Sequence, residues 1–378
     1  MEKLKNSVAV VVTTIGRGEF LDEYHAAVLA ENALDRVQFI VIPDRKSPPE
    51  LAVRCAGLAK RGLRIHCPSL QEQETYLAKL NLSRFIPYDS DNRRNIGYLM
   101  ALESADDFTI SIDDDNFCRP GERFFAEHAV VAAPPVKAPS VQSSNGWFNI
   151  CSLMHVEPQN VYARGFPYAK RHVHPEITSQ IETGSVRLNA GLWLGEPDLD
   201  AMTWLISPAR STALKSGSVL LGKNAWSPIN TQNTALHRDL LVTYYFARMG
   251  YPLGNLGAID RYGDILSGYL CQACVRHMGD RIRVGTPLVD HRRNSHNYMR
   301  DATHEMGCVW LMEDLTAWLK ELKLTGSTYR ETYLSLASEL DDAAERFSGF
   351  IWNDAARGYL HSLAYCMRTW ITACRRWI

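Results

Sequence analysis

Three consecutive carboxylates, Asp113, Asp114 and Asp115, are the residues in this sequence whose types and spacing most directly indicate chemistry. They follow the segment FTISI at residues 108–112, which is apolar and rich in β-branched residues, as in a buried strand. Adjacent carboxylates repel one another unless a positive group lies among them. Mg²⁺ and Mn²⁺ take oxygen ligands of this kind and keep positions open for substrate phosphates. We therefore predict a divalent metal site here, with a solvated acidic turn as the alternative.

Positive charges that could meet a phosphate lie shortly before this triplet. The segment DSDNRRN at residues 89–95 begins a predicted helix that Asp89 or Ser90 can cap. Arg93 and Arg94 then fall in the first turn, where the helix dipole disfavours cations. A bound diphosphate would offset that cost, whereas the alternative is a pair of exposed surface arginines.

The elements that must position these groups resemble the start of an α/β nucleotide-binding unit. Residues 8–15 form a buried strand that contains Thr14, and a glycine turn and a helix follow at residues 16–24. The turn is only a near match to GxGxxG, so flavin or NAD binding is weakly indicated. A second strand at residues 39–43 runs into Asp44, at the edge where ligands gather in such sheets. An ordinary turn residue is the alternative for Asp44.

The remainder of the chain suggests one further boundary and a helical tail. Pro-rich residues 132–140 predict a connector and a subdomain break. Amphipathic patterns predict tail helices at residues 308–324, 328–347 and 355–377. We predict a nucleotide-binding α/β domain over residues 1–305 and a helical region over 306–378. The tail would cover the core or build a homo-oligomer, and contact with a membrane surface is the less favoured alternative.

Composition excludes several classes of protein. The chain has 378 residues, 46% hydrophobic residues and a net charge of −1, so it lacks the basic footprint of a nucleic-acid-binding protein. Nine scattered cysteines predict reduced thiols in a cytoplasmic protein, and the CxxC at residues 271–274 predicts buried thiols rather than a zinc site. The short polar N-terminus predicts no signal sequence, and no apolar run reaches the ~18 residues of a membrane span.

Four segments, in the same order along the chain, carry a family resemblance. They are IDDD at residues 112–115, RGFPY at 164–168 with Arg171, GLWL at 191–194 with Pro197, Asp198 and Asp200, and RYGD at 261–264 with Gly268. Together they resemble the reversibly glycosylated polypeptides, also called UDP-arabinopyranose mutases, over roughly residues 8–300. This resemblance implies an α/β, GT-A-like fold, with a mixed central sheet flanked by helices and a C-terminal helical addition.

The resemblance also implies roles for individual residues. The acidic triplet would bind Mn²⁺ or Mg²⁺ through Asp115 and Asp113, without any flavin. His291 would be a further metal ligand or a diphosphate contact, and an ordinary loop histidine is the alternative. The residues predicted to contact the nucleotide are Thr14, Asp44, Asp91, Arg93, Arg94, Asp113, Asp114 and Trp193.

Two arginines carry the catalytic expectation. Arg164 matches the family position that becomes reversibly glycosylated, and Arg171 matches a second arginine that is needed for activity. Arginine is ordinarily a poor nucleophile because it stays charged. Asp198 or Asp264 could act as the acid that takes its proton, and clamping of phosphates without a covalent bond is the alternative.

The chain departs from the family pattern where a base or sugar would be recognised. Asn189 and Ala190 replace Ser-His before GLWL, Gly263 replaces a second Asp after Arg-Tyr, and Asp91 is not the family's residue. Guanine offers a carboxylate two hydrogen-bond donors where uracil offers one, and bonds to a charged group are strong. Asp91 therefore favours GDP slightly over UDP, with helix capping as the alternative role.

We expect a metal-dependent, flavin-independent nucleotide-sugar mutase that interconverts pyranose and furanose forms of a UDP- or GDP-linked sugar. A GT-A glycosyltransferase that passes the sugar to an acceptor is the first alternative. A non-catalytic scaffold that binds nucleotide sugar is the second, and the intact triplet and both loop arginines speak against it.

Overall fold

A thirteen-stranded sheet runs through the computed structural model, which describes residues 3–377. The strands are β1 Val8–Thr14, β2 Val37–Pro43, β3 Arg64–His66, β4 Phe108–Ile112, β5 Asn116–Cys118, β6 Val136–Ser143, β7 Met154–Glu157, β8 Ile177–Gly184, β9 Val186–Gly195, β10 Arg210–Leu214, β11 Val219–Leu221, β12 Asn233–His237, β13 Tyr251–Pro252, β14 Ala258–Ile259 and β15 Arg281–His291. The α-helices are α1 Phe20–Ala30, α2 Pro49–Lys60, α3 Leu70–Lys79, α4 Arg94–Ser104, α5 Phe124–His128, α6 Ala201–Ile206, α7 Arg238–Leu241, α8 Gly263–His277, α9 Tyr298–Glu321, α10 Tyr329–Ala343 and α11 Asp354–Cys374. Met1, Glu2 and Ile378, which the predicted domain ranges include, lie outside the described residues.

The N-terminal strands form the parallel half of the sheet. Strand β1 pairs in parallel with β2 and β4, and β2 pairs in parallel with β3. Residues 8–12 are fully buried, which explains their unbroken apolar run, since parallel strands are covered on both faces. Helix α4 lies so close to β1 that a Cβ at Gly97 would stand 2.4 Å from Val11 Cγ1. Glycine therefore lets the first turn of α4 approach the carboxyl end of β1.

The second half of the sheet is mixed. Strand β12 is antiparallel to β4 and to β9, and β9 is parallel to β15. The resulting order β3-β2-β1-β4-β12-β9-β15 continues through β11 and β6 to β8 at the edge. The α/β class predicted from the sequence, with a mixed central sheet flanked by helices, is confirmed.

The Pro-rich segment differs from its prediction. Residues 136–143 form strand β6, which pairs with β8 at eight positions and with β11. Proline fixes an extended backbone that edge and near-edge strands share with linkers, so composition alone could not separate the two. A connector at residues 136–140 is wrong, and the proposed subdomain break stays a prediction.

The C-terminal helical addition packs on the sheet domain. Helix α10 lies against α8 and α11, and Trp370 of α11 is fully buried and donates its indole N–H to the Val242 carbonyl at 2.9 Å. Helix α9 begins at Tyr298, where the Asn297 side chain accepts from the Arg300 amide. The predicted boundary after residue 305 therefore falls inside a helix. Among residues 3–377, none of the helices has the length and apolar character needed to cross a membrane.

Candidate active site

One cavity of about 710 Å³ collects most of the predicted site residues at the carboxyl ends of the parallel strands. It is lined by the ends of β1, β2 and β4, the start of α4, the end of β15 and the first turn of α8. The predicted residues that line it are Thr14, Asp44, Asp91, Arg93, Arg94, Asp113, Asp114, Asp115, Arg164, Asp198, Asp264 and His291. Arg171 and Trp193 do not line it. The topology thus brings together side chains from eight separate segments of the sequence.

Each carboxylate of the acidic triplet has its own partner. Asp113 accepts from Arg94 Nη2 at 2.6 Å, Asp114 accepts from the Thr14 hydroxyl at 2.6 Å, and Asp115 Oδ2 lies 3.4 Å from His291 Nε2. Burial raises the pKa of Asp114 to about 6, although the Thr14 hydrogen bond opposes that shift. Burial also raises the pKa of Asp113 against the pull of Arg94. Each of the three adjacent acids therefore has a different stabilising contact, and these contacts offset their mutual repulsion.

Asp115 and His291 are the pair that best fits a metal ion. His291 Nδ1 lies in hydrogen-bond contact with the Glu196 carbonyl, which orients the ring and leaves Nε2 facing Asp115. Burial lowers the pKa of His291, but the hydrogen bond and charge of Asp115 outweigh it, so the net pKa is raised. Within residues 3–377, no three His, Cys, Asp or Glu side chains converge as a metal-binding group. A two-ligand site suits Mn²⁺ or Mg²⁺ held jointly with substrate phosphates.

The two adjacent arginines are buried, so the surface alternative is wrong. Arg93 and Arg94 are only 1% and 4% exposed. The Arg93 guanidinium stacks on the Tyr88 ring at 4.0 Å and lies 3.9 Å from Asp44. Arg94 binds Asp113 and also contacts Thr231. Both arginines therefore already hold protein groups together at the cavity wall, and their predicted contact with a diphosphate stays a prediction.

A single 3₁₀ turn at residues 91–93 leads into α4, and Ser90, one of the two predicted caps, caps that turn. The Ser90 side chain accepts from the Asn92 amide at 3.2 Å, whereas α4 itself begins without a side-chain cap. Asp91 is therefore free of the capping role and faces the cavity. The charged groups that act most strongly on it are Arg94 and Asp264. The Arg164 charge also acts on Asp91, while the preceding residue, Ser90, donates its amide to Asp44 at 3.3 Å.

Arg164 is held by carboxylates from two other segments. Its Nε and Nη2 donate to the two oxygens of Asp198 at 2.9 and 3.2 Å. Its Nη1 and Nη2 donate to Asp264 at 3.3 and 2.8 Å, and Nη1 also donates to the Arg261 carbonyl at 2.5 Å. All five N–H donors of the guanidinium are thereby used. The fork is fixed in one orientation at the cavity wall.

The two acids differ in how they respond to Arg164. Burial would lower the Arg164 pKa, but Asp198 and Asp264 hold it well above its usual value. Burial raises the pKa of Asp264 even against the Arg164 charge, whereas Asp198 keeps a lowered pKa because Arg164 and Asn230 outweigh its burial. The acids therefore stabilise the arginine cation at rest. Any proton loss from Arg164 must accompany bond formation, and Asp264 is the better acceptor.

Arg171 supports the loop rather than lining the cavity. It donates to the fully buried Asp200 at 2.6 Å and lies over the Tyr168 ring at 3.6 Å. The same Asp200 caps α6 by accepting from the Thr203 amide at 2.8 Å. These contacts close the loop of residues 164–171, so Arg171 can act on the site through the position of Arg164.

Trp193 lies in the core. It occupies central strand β9, opposite Val289 of β15, and is 2% exposed. Its predicted nucleotide contact therefore has no support from its position. A tryptophan on a central strand faces one side of the sheet or the other, and the sequence run GLWL does not reveal which.

Sequence reasoning missed a set of charges beneath Arg164. Arg261 has a left-handed backbone, with φ of 63°, and turns its carbonyl toward Arg164. Its guanidinium lies 3.2 Å from Asp301 and 3.3 Å from Glu305. The i, i+4 spacing of these two acids on one face of a helix is the signal that the sequence offers, but no sequence pattern connects that face to Arg261.

Comparison with known proteins identifies the family of this chain. The model of the reversibly glycosylated polypeptide family matches residues 3–377. The chain belongs to the reversibly glycosylated polypeptide family. Members of the family from Arabidopsis thaliana include UDP-arabinopyranose mutase 1, which is 26% identical over 74% of this chain and 71% of its own length. UDP-arabinopyranose mutase 2 from the same plant is 24% identical over 98% of this chain and 92% of its own length.

Solved structures similar to this family member are glycosyltransferases. Glucosyl-3-phosphoglycerate synthase from Mycobacterium tuberculosis, in complex with Mn²⁺ and UDP-glucose, is 13% identical with a TM-score of 0.41, over 82% of this chain and 79% of its own. A mannosyltransferase from Pyrobaculum calidifontis, in complex with GDP-Man and Mn²⁺, is 13% identical with a TM-score of 0.38, over 99% and 87%. Similarity at these scores carries no argument about the activity of this chain.

Proposed function

We propose that this protein is a nucleotide-sugar mutase that interconverts pyranose and furanose forms of the sugar. The observation that carries the proposal is the fixed Arg164 guanidinium, bound by Asp198 and Asp264 in the cavity that also contains the acidic triplet. A nucleophile belonging to the chain itself needs no external acceptor. The relatives named UDP-arabinopyranose mutase are consistent with this reaction.

The chemistry can be assigned to the residues of the cavity. Arg164 forms a bond to C1 as the C1–O bond to phosphate breaks, and that electron pair leaves on the diphosphate. The proton that Arg164 loses passes to Asp264 along a hydrogen bond already 2.8 Å long. The raised pKa of Asp264 suits it to hold this proton. Asp198 keeps the guanidinium oriented throughout.

Ring contraction follows while the sugar is held on Arg164. The C1–O bond of the ring breaks, the ring oxygen takes the proton that Asp264 holds, and the lone pair of the Arg164 nitrogen stabilises C1 as an iminium in the open-chain form. The hydroxyl that closes the furanose then adds to C1, the electron pair returns to nitrogen, and the proton of that hydroxyl passes to Asp264. The diphosphate then returns to C1, Arg164 leaves, and Asp264 gives back the proton. In the alternative, Arg164 only binds the phosphates and forms no covalent bond to the sugar, so it would stay unmodified throughout the reaction.

A divalent metal belongs to the same proposal. Mn²⁺ or Mg²⁺ bound by Asp115 and His291 would neutralise the charge that develops on the leaving diphosphate. Asp113, the other predicted ligand, has one oxygen engaged by Arg94. We therefore assign Asp115 the direct contact and Asp113 the orientation of the triplet. The proposed reaction uses no flavin.

The nucleotide is the finer part of the proposal. UDP is supported by the names of the relatives, which specify UDP-arabinopyranose. The preference for GDP requires Asp91 to contact the base, but the charged groups that act most strongly on Asp91 are Arg94 and Asp264, which belong to the proposed reaction site. We therefore propose UDP as the carrier, and the GDP prediction remains to be tested by titration of both nucleotides. We also propose a cytoplasmic location, which the nine free thiols favour.

The decisive experiment supplies nucleotide sugar without an acceptor. Purified protein, Mn²⁺ and UDP-arabinopyranose are followed by NMR, and ring-isomerised product is expected. Slow hydrolysis without isomerisation would instead favour a glycosyltransferase, and nucleotide binding without any turnover would favour a scaffold. Arg164→Lys keeps the charge but loses the fork and should abolish isomerisation. Arg187→Lys, outside the cavity, is the matched control and should retain it. Peptide mapping after rapid quenching should find a pentose on residues 164–168 if the covalent route is used.

A further inference from the structure

A second cavity of about 900 Å³ lies at the opposite end of α8 from the active site. The first turn of α8 carries Asp264 into the active-site cavity, and its last turn carries Arg276 and His277 into the second. The other walls come from residues 143–146, the segment after β11 and the end of α9. A helix of 15 residues separates the two sites by roughly 20 Å. A ligand in the second cavity would therefore not compete directly with the nucleotide.

The walls of the second cavity carry an excess of positive charge. The basic residues are Lys223, Arg276, Arg281, Lys320 and Lys323, and the acidic residues are Glu182, Asp280 and Glu321. Two of the acids are already engaged. Glu182 lies 3.3 Å from Arg281, and Asp280 accepts from the Tyr329 hydroxyl at 2.6 Å. The remaining cations have little local compensation.

Arg276 is the most constrained of these cations. It donates to the carbonyls of Gly222, Lys223 and Ala225 at 2.8, 3.0 and 2.9 Å, and it lies over the Trp226 ring at 4.6 Å. Within the described chain it has no carboxylate at ion-pair distance, and its Nε has no hydrogen-bond partner. Burial lowers its pKa to about 9, with Arg281 adding to the effect. A partly buried charge held only by carbonyl groups and a ring is stabilised when an anion joins it.

Lys320 repeats this pattern on the facing helix. Its Nζ donates to the Asn145 carbonyl at 3.3 Å and lies 5.5 Å from the Trp147 ring centre. In the part of the chain that the structure describes, no carboxylate lies at ion-pair distance from it. Burial lowers its pKa, and the charge of Lys170 lowers it further, with Glu321 opposing and Arg276 adding to the effect. Two cations from different helices thus face one cavity, and neither has a carboxylate at ion-pair distance among the described residues.

We propose that this cavity is a second binding site for a small molecule that carries phosphate groups. An arginine fork combined with lysine point charges is suited to phosphate oxygens. The volume lies within the range of small-molecule pockets and greatly exceeds that of one ion. A cation near the C-terminus of a helix is favoured by the helix dipole, which accounts for Arg276 in the last turn of α8. It does not explain Lys320, which comes from α9, or the exposed lysines at the rim.

The test titrates pyrophosphate, glucose 1-phosphate and orthophosphate into the full chain by calorimetry. EDTA is present, so that metal-dependent binding at the active site is suppressed. Saturable binding of pyrophosphate or glucose 1-phosphate is expected. Arg276→Gln and Lys320→Gln should each weaken it about tenfold or more, because each removes a charge-assisted contact. Lys60→Gln removes an exposed charge elsewhere and should have no effect, and Asp115→Ala should also bind normally. Lys320→Gln decides the question if the Arg276 variant fails to fold.

Lysine acylation followed by mass spectrometry locates the ligand. Bound pyrophosphate should slow modification of Lys320 and leave Lys60 of the same molecules unchanged. Absence of saturable binding, equal affinity in Lys320→Gln, or lack of protection at Lys320 would each overturn the proposal. Orthophosphate binding more tightly than the two larger ligands would overturn the assignment to a small molecule. These outcomes do not depend on whether the protein isomerises a nucleotide sugar.

Discussion

Removal of the Arg164 charge should destabilise the fold in a pH-dependent way. Arg164→Gln leaves Asp198 and Asp264, each 7% exposed, facing one another without a cation. Breaking a buried pair on one side typically costs about 3–5 kcal/mol. Arg164 lowers the pKa of Asp198 and opposes the effect of burial at Asp264. Without it, both carboxyl pKa values rise in the folded state.

The sign of the pH effect follows from this rise. A carboxyl with a raised folded pKa contributes stability that is present at low pH and is lost as pH rises through that pKa. The variant's deficit relative to wild type should therefore be smaller at pH 6 and larger at pH 8. One additional bound proton changes the free energy of unfolding by about 1.4 kcal/mol per pH unit. The deficit should thus grow by up to about 2.7 kcal/mol over these two units.

Urea unfolding followed by tryptophan fluorescence, at pH 6, 7 and 8 without metal, measures this deficit. The double variant Arg164→Gln/Asp264→Asn has one carboxylate fewer. It should be more stable than the single variant at pH 8 and should show a weaker pH dependence. A deficit that stays constant or shrinks with rising pH would refute the electrostatic account of Arg164. So would a double variant no more stable at pH 8 than the single one.

Three further predictions concern the metal site and the tail. Asp115→Ala should abolish Mn²⁺-dependent nucleotide binding in calorimetry. Asp114→Asn keeps a hydrogen-bond partner for Thr14 and should retain most of this binding. Equal affinity for Mn²⁺ and nucleotide in the Asp115 variant and in wild type would contradict the assignment. His361 has a pKa raised first by its hydrogen bond to Asp341, so its contribution is complete below about pH 6.5 and lost as pH rises through the folded pKa. The melting-temperature gap between wild type and His361→Gln should therefore close from pH 6 to pH 8.5, and a gap independent of pH would count against it. Trp370→Ala should cost about 3–5 kcal/mol in urea unfolding, because it empties a fully buried site, and a loss below about 1 kcal/mol would mean that the tail packs only weakly.

The strands of the parallel half could be predicted because their signal is local. The apolar runs that became β1, β2 and β4 carry their own burial pattern, and the acids at their ends had to meet at one edge. The mixed half gave weaker signals. Strand β6 contains prolines, and its partners β8 and β11 come from distant parts of the sequence. Composition at 132–140 could not reveal that pairing.

In the candidate site, too, some features could be predicted from the sequence and others could not. The family resemblance pointed to Arg164, Asp198 and Asp264, and the structure places both carboxylates within hydrogen-bond distance of Arg164. The burial of Arg93 depends on Tyr88 and Asp44, which no sequence pattern connects to it. Side-chain direction is equally hidden from the sequence. Successive residues of a strand point to opposite faces, and the sequence around Trp193 does not show that its side chain lies in the core.

Helix α9 begins before the predicted start of the tail, and its first turns support the candidate site. Its first two turns place Asp301 and Glu305 against Arg261, whose carbonyl in turn binds Arg164, while its far end reaches the second cavity. A slide of this helix by one residue would move each acid about 1.5 Å along the axis and turn it by roughly 100°. That displacement would break ion pairs of 3.2 and 3.3 Å. Insertions or deletions early in α9 would therefore shift the position of Arg164 without replacing any residue that lines the cavity.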